Sequence, residues 1–145
     1  MSIRPKYAYR IFTGTKKFEL RKWFGLVPSP GSTIIVYASG SVKAIIGEFK
    51  VGRVYLGSPG EVREFLEGQP SPGIGREDLS YIYGSRKAMA IEVIDPILYS
   101  KPIKLVELRN IIPGFMPPLS FRRIDPFEPL YVLIIRRARL SIKKR

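Results

Sequence analysis

Cysteine and histidine are both absent from the 145 residues. Without thiols there are no disulfides, no thiolate nucleophile and no zinc–thiolate site. Without imidazole the Ser-His-Asp and Cys-His constellations are excluded as well. Any chemistry therefore falls to Lys, Arg, Asp, Glu, Ser, Thr and Tyr, and neither a metal site nor a cofactor is expected. Amide side chains are scarce too, with one Asn and one Gln, a composition that suits a protein from a hot environment. Long apolar runs are missing: the opening "MSIRPKYAYR" is charged, and "LYVLII" is the longest apolar run near the C-terminus. Neither a signal peptide nor a membrane span is expected, which places the protein in the cytoplasm.

Acidic residues are the remaining shortage. Twelve Asp and Glu face twenty-five Lys and Arg, a formal charge of +13. An excess of that size favours a polyanionic partner, RNA or another nucleic acid, over an acidic small molecule. The excess is also uneven. Residues 4–22 hold seven cations and one anion, and "RRARLSIKKR" holds six cations and no anion, whereas five of the twelve acids fall in two predicted helices in the middle of the chain.

The length is that of one domain, and residues 1–145 are expected to form it. "RPKYAYRIFTG" reads as a short helix, with Pro5 in its first turn and Gly14 just past its end. "KKFELRKW" then switches to period two, placing Phe18 and Leu20 on one side and Lys17, Glu19, Arg21 and Trp23 on the other. "STIIVYAS" and "KAIIGEFKVGRVYLG" are further strands joined through "SGSVK", and "RKAMAIEVIDPILYS" and "EPLYVLIIRRARLSI" bring the number to at least five. "SPGEVREFLEG", "GIGREDLSYIYGS" and "IKLVELRNII" are helical, and the prolines of "PGFMPPLSF" impose a loop. The expected class is α+β: a small, mixed, partly closed β-barrel of about five to six strands, with two to four short flanking helices, since closure removes exposed strand edges. Residues 135–145 form a basic C-terminal segment, with Arg136 and Arg137 on the last strand and Lys143, Lys144 and Arg145 loose.

The stretch "FTGTKKFELR" spells Gly14-x-Lys16-x-x-Glu19-x-Arg21. On a strand, Glu19 and Arg21 point the same way about 7 Å apart, with Lys16 or Lys17 at the strand entrance. A carboxylate among two or three cations stays ionised and fixes their positions. Glu19 is thus expected to orient Lys16 and Arg21 while accepting a base amino group, the cations meeting phosphate or a carbonyl. A plain ion pair at the barrel rim is the simpler alternative. Trp23, on the same strand face, is the preferred base-stacking residue.

With this motif the chain resembles the ASCH domains, a branch of the PUA-like β-barrels. "SIRPKYAYRIFTG", "VKAIIGEFKVGRV", the "GI" before a short helix and the late "PPLSFRRI" follow that family's running order over residues 2–124. The resemblance implies a small PUA-like barrel that binds RNA, a nucleoside or a nucleotide in a cleft, and it brings Ser120, Arg122 and Arg123 of "SFRR" near that cleft. The nucleic-acid-binding set is then Lys6, Arg10, Lys16, Lys17, Glu19, Arg21, Trp23, Ser120, Arg122 and Arg123. Some relatives imply an alternative, a ribonuclease or an amidohydrolase on N4-acetylcytidine that uses a motif Lys, a motif Thr and a distant Glu. Here those map to Lys16, to Glu19 in place of the Thr, and to Glu48 or Glu92. If the protein is an enzyme, Lys16 and Glu19 are its catalytic candidates, and the exchange of a hydroxyl for a carboxylate changes the mechanism.

Overall fold

A computed structural model describes residues 1–143. Its elements are β1 (Ser2–Ile3), α1 (Pro5–Phe12), β2 (Phe18–Lys22), β3 (Thr33–Ala38), β4 (Ala44–Gly57), α2 (Pro59–Glu67), α3 (Arg76–Ile82), β5 (Ala88–Lys104), α4 (Leu105–Ile111) and, after a π-helical stretch Leu130–Ile135, α5 (Arg136–Lys143). Hydrogen-bonded strand neighbours follow the order β1-β3-β4-β5-β2, a five-stranded sheet that does not close on itself. The chain divides into two compact units. One comprises residues 1–5, 35–47 and 98–145, and the other residues 6–34 and 48–97. The long strands β4 and β5 each contribute to both.

In the second unit α1 ends as its punctuation requires. Gly14 has φ +81°, in the left-handed region that Gly enters without a Cβ penalty. Ala8 and Ile11, one turn apart, are its buried residues. β2 runs antiparallel to β5 with Phe18 opposite Glu92, Glu19 opposite Ile91, Leu20 opposite Ala90 and Arg21 opposite Met89. Directly opposed residues share a sheet face. One face therefore carries Phe18 and Leu20, which pack with Ala88 and Ala90 against Val62 and Leu66 of α2 and Ile82 of α3. The other face carries Glu19 and Arg21 beside the fully buried Met89 and Ile91. α2 starts on a capping box in which Ser58 accepts from the Glu61 amide and the Glu61 carboxylate accepts from the Ser58 amide, satisfying donors that a helix start leaves open.

The first unit is built on Tyr37, Ile45, Tyr99, Leu108, Leu130, Ile134 and Ile135. β1 is two residues long and pairs parallel with β3, Ser2 opposite Tyr37. The C-terminal segment corrects the sequence reading. "EPLYVLIIRRARLSI" is helical, not a strand, so Arg136 and Arg137 lie on α5. Its apolar residues fit a helix: Leu130, Ile134 and Ile135 are buried, and Ala138 and Ile142 pack on the same cluster, a spacing of 4, 5, 8 and 12 that one helix face satisfies. Branched side chains favoured a strand locally, and burial of this face overrode them. Lys143 is the last residue of α5. The expectation for Lys144 and Arg145 lies outside the described residues. Among the described residues no helix is long and apolar enough to cross a membrane.

Candidate functional site

The motif residues come together in the second unit as an ion cluster. Lys16 Nζ donates to Glu19 Oε1 at 2.7 Å and lies 3.2 Å from Asp78 Oδ1, while Arg21 Nη2 donates to Glu19 Oε2 at 3.1 Å. All four side chains are under a tenth exposed. Two cations and two carboxylates leave the cluster without net charge. Glu19 is the hub, one oxygen to each cation. Burial pushes its carboxyl pKa up, but the attraction and hydrogen bonds of Lys16 and Arg21 outweigh this and hold it below the usual carboxylate range.

The backbone that positions Lys16 is clamped on both sides. Its amide donates to the Arg10 carbonyl at the end of α1, and the Lys17 amide donates to the Pro72 carbonyl. The next residue, Gly73, has φ +73°, and a Cβ there would overlap the Thr15 carbonyl oxygen. Only glycine lets the 71–75 loop approach so closely. That loop leads into α3, where Asp78 serves twice: Oδ2 accepts from the Gly75 amide and Oδ1 faces Lys16. Asp78 was missed from sequence. Its usable signal was an acid in the first turn of a predicted helix.

Above the cluster, the Tyr7 ring lies 5.0 Å from Lys16 Nζ. Tyr7 is fixed by donating its hydroxyl to Glu77 Oε2 at 2.8 Å, a bond that raises the phenol pKa. Lys6 donates to the same oxygen at 2.9 Å, and these two bonds, Lys6 first, lower the Glu77 carboxyl pKa. Adjacent residues of α3 thus hold α1 through Glu77 and Lys16 through Asp78. Of the other expected residues, Lys17 and Trp23 are exposed and Arg10 is half-buried.

The two candidates for a distant Glu lie on different strands, Glu48 on β4 and Glu92 on β5. Glu92 stands opposite Phe18, on the sheet face away from Glu19. It is bound by Arg53 through Nε at 3.2 Å and Nη2 at 2.8 Å. Glu48 is buried on β4. Ser120, Arg122 and Arg123 belong to the first unit. The Ser120 carbonyl accepts from the Ser2 amide, Arg122 forks onto Glu128 at 3.0 and 2.7 Å, and Arg123 is exposed. Among the described residues no group of acidic side chains is arranged to hold a metal ion.

The sequence model of the ASCH domain matches residues 1–110. The chain belongs to the ASCH domain family. No curated protein matches it significantly. The crystal structure of an ASCH protein from Zymomonas mobilis superposes with a TM-score of 0.75 at 25% identity, covering 98% of this chain and 92% of that one. A Tyr→Phe mutant of the same protein gives 0.74 at 25% identity over 93% and 94% of the two chains, and a Ser→Ala mutant gives 0.75 at 25% over 94% and 93%. This ASCH domain therefore has the α+β fold of the PUA-like barrels.

Proposed function

We propose that this ASCH domain binds RNA or a nucleotide through cations set around a buried, charge-neutral frame. The observation that carries the reading is the Lys16–Glu19–Arg21–Asp78 cluster, in which two cations pair with two carboxylates nearly closed to solvent. A buried neutral cluster shapes a surface but supplies little long-range attraction for phosphate. In this reading Lys6, Arg10 and Lys17 contact phosphate, Glu19 and Arg21 shape the recognition of a base beside Lys16, and Trp23 stacks. Arg123, exposed in the first unit, offers a phosphate contact of its own, with Ser120 and Arg122 shaping its loop. The family is generally associated with RNA binding, and the overall excess of cations agrees.

Binding is favoured over hydrolysis by the same cluster. A general base must present a lone pair to its substrate, whereas the Lys16 ammonium is directed at two carboxylates. Glu92 is turned to the other sheet face. Titrating labelled single-stranded RNA at several salt concentrations tests the proposal. Neutralising four to six phosphates gives a log–log slope of roughly −3 to −4, with the RNA intact afterwards. Shortened RNA, or deacetylation of N4-acetylcytidine, that disappears in a folded Lys16→Ala variant would establish hydrolysis instead.

A further inference from the structure

The formal charge of +13 is not shared evenly by the two compact units. Residues 1–5, 35–47 and 98–145 hold thirteen Lys and Arg against three acids, whereas the unit that carries the motif holds twelve against nine. Most of the excess thus belongs to the unit that the Gly14–Arg21 motif does not occupy. Of its three acids, Glu128 is gripped by Arg122 and Asp125 accepts from the Phe127 amide. Residues 129–145 hold six cations and no acid. The helix formed there shows where its cations point. Leu130, Ile134 and Ile135 are buried, and Ala138 and Ile142 pack on the same cluster, while Val132, Leu133 and Leu140 are exposed. Arg136 lies four residues from both Val132 and Leu140, and Arg137 four from Leu133, so both share that outward face. Both are exposed. Among the described residues neither is paired with a carboxylate.

We infer that the outward face of α5 is a contact surface for the phosphodiester backbone of RNA, with Arg136 and Arg137 holding phosphates. Each guanidinium presents a planar fork of donors that matches two phosphate oxygens. Two such groups on one helical turn, without carboxylates to neutralise them, offer a polyanion what the paired Lys16 cluster does not. Contacts of this kind fix where a strand lies and read no base, so the face tolerates any sequence. A second copy of this chain is not complementary, because the same face would bring cations onto cations. The aliphatic side chains beside the arginines are each more than half covered, too little apolar surface to sink into a bilayer. The inference rests on the RNA reading above and adds an element in the other unit on which the backbone rests.

The double variant Arg136→Gln/Arg137→Gln removes two cations while keeping good helix formers. Its control, Lys50→Gln/Arg86→Gln, removes the same charge from exposed positions of the other unit. End-labelled oligouridylate and oligoadenylate are titrated with each full chain at several salt concentrations and followed by anisotropy, and circular dichroism confirms that the variants fold. The α5 variant should make the log–log slope shallower by about 1.4, two contacts at about 0.7 each, and to the same extent for both oligonucleotides. The control should keep the wild-type slope. Equal loss of slope in the two variants overturns the inference, because net charge alone would then account for it. An unchanged slope in the α5 variant also overturns it and leaves the RNA reading standing. A wild type that binds neither oligonucleotide at low salt overturns both. Pelleting with phosphatidylglycerol vesicles that the α5 variant abolishes, with RNA binding unaltered, assigns the face to a lipid surface and overturns the inference.

Discussion

β2 carries cations of two kinds within a few residues. Arg21, with Lys16 just before the strand, is buried and paired with carboxylates, whereas Lys22 at the strand end lies beside an exposed ring. Side chains of the same charge thus do different work according to their surroundings. Inside, the ions must be matched, because removing one partner leaves an uncompensated charge in a medium that solvates it poorly. Outside, an ammonium costs little and remains available to a ligand. The formal charge of +13 therefore overstates what the motif itself presents to a polyanion.

The largest effect expected from breaking this contrast is at Lys16. Lys16→Met leaves Glu19 and Asp78 facing each other without their shared cation and should cost about 3–5 kcal/mol of unfolding free energy. Lys22→Met should stay within about 0.5 kcal/mol. Denaturant unfolding of the two variants measures the difference, and equal losses would mean that burial does not separate them. Gly73→Ala should cost about 1–3 kcal/mol, combining a left-handed φ with overlap against the Thr15 carbonyl. In the same variant the Lys16 backbone shifts, visible as altered amide exchange at Lys16 and Lys17.

Acid should reach the buried region specifically. The folded-state pKa of Glu19 lies below its unfolded value, so its contribution to stability is complete above the unfolded carboxylate range, near pH 4.3. It is lost as pH falls from there through the lower folded value. In Glu19→Gln this part of the acid limb should vanish, so wild type and variant converge in stability as pH drops. A gap independent of pH would show that Glu19 acts through shape alone. The smallest effect belongs to Lys6→Ala. Its pair with Glu77 is more than half exposed on both sides, and such surface pairs contribute about 0–1 kcal/mol.

Much of this was legible because local rules and tertiary demands agreed. Pro5 and Gly14 bracket α1, and Phe18 and Leu20 alternate with Glu19 and Arg21. The spacing of Glu19 from Lys16 and Arg21 also showed that the carboxylate joins the cations, as the hydrogen bonds confirm. Depth was not legible: a polar residue alternating along a strand reads as solvent-facing, and the Glu19 face is buried instead. Asp78 was hidden because it reaches Lys16 only through the fold of the 71–75 loop. β1 is too short to signal itself. The C-terminal run was misread because branched residues suit a strand locally, while the spacing that decides matters only once a core exists to receive it.

The most direct measurement compares Lys16→Gln and Lys17→Gln in salt-dependent binding of a single-stranded RNA, each variant held below its melting temperature. If the buried cluster is frame and the exposed cations are contacts, Lys17→Gln makes the log–log slope shallower by about 0.7 with its melting temperature unchanged. Lys16→Gln then melts earlier and keeps the wild-type slope. The opposite pattern, a slope altered by Lys16→Gln and untouched by Lys17→Gln, would contradict the division of labour between the two.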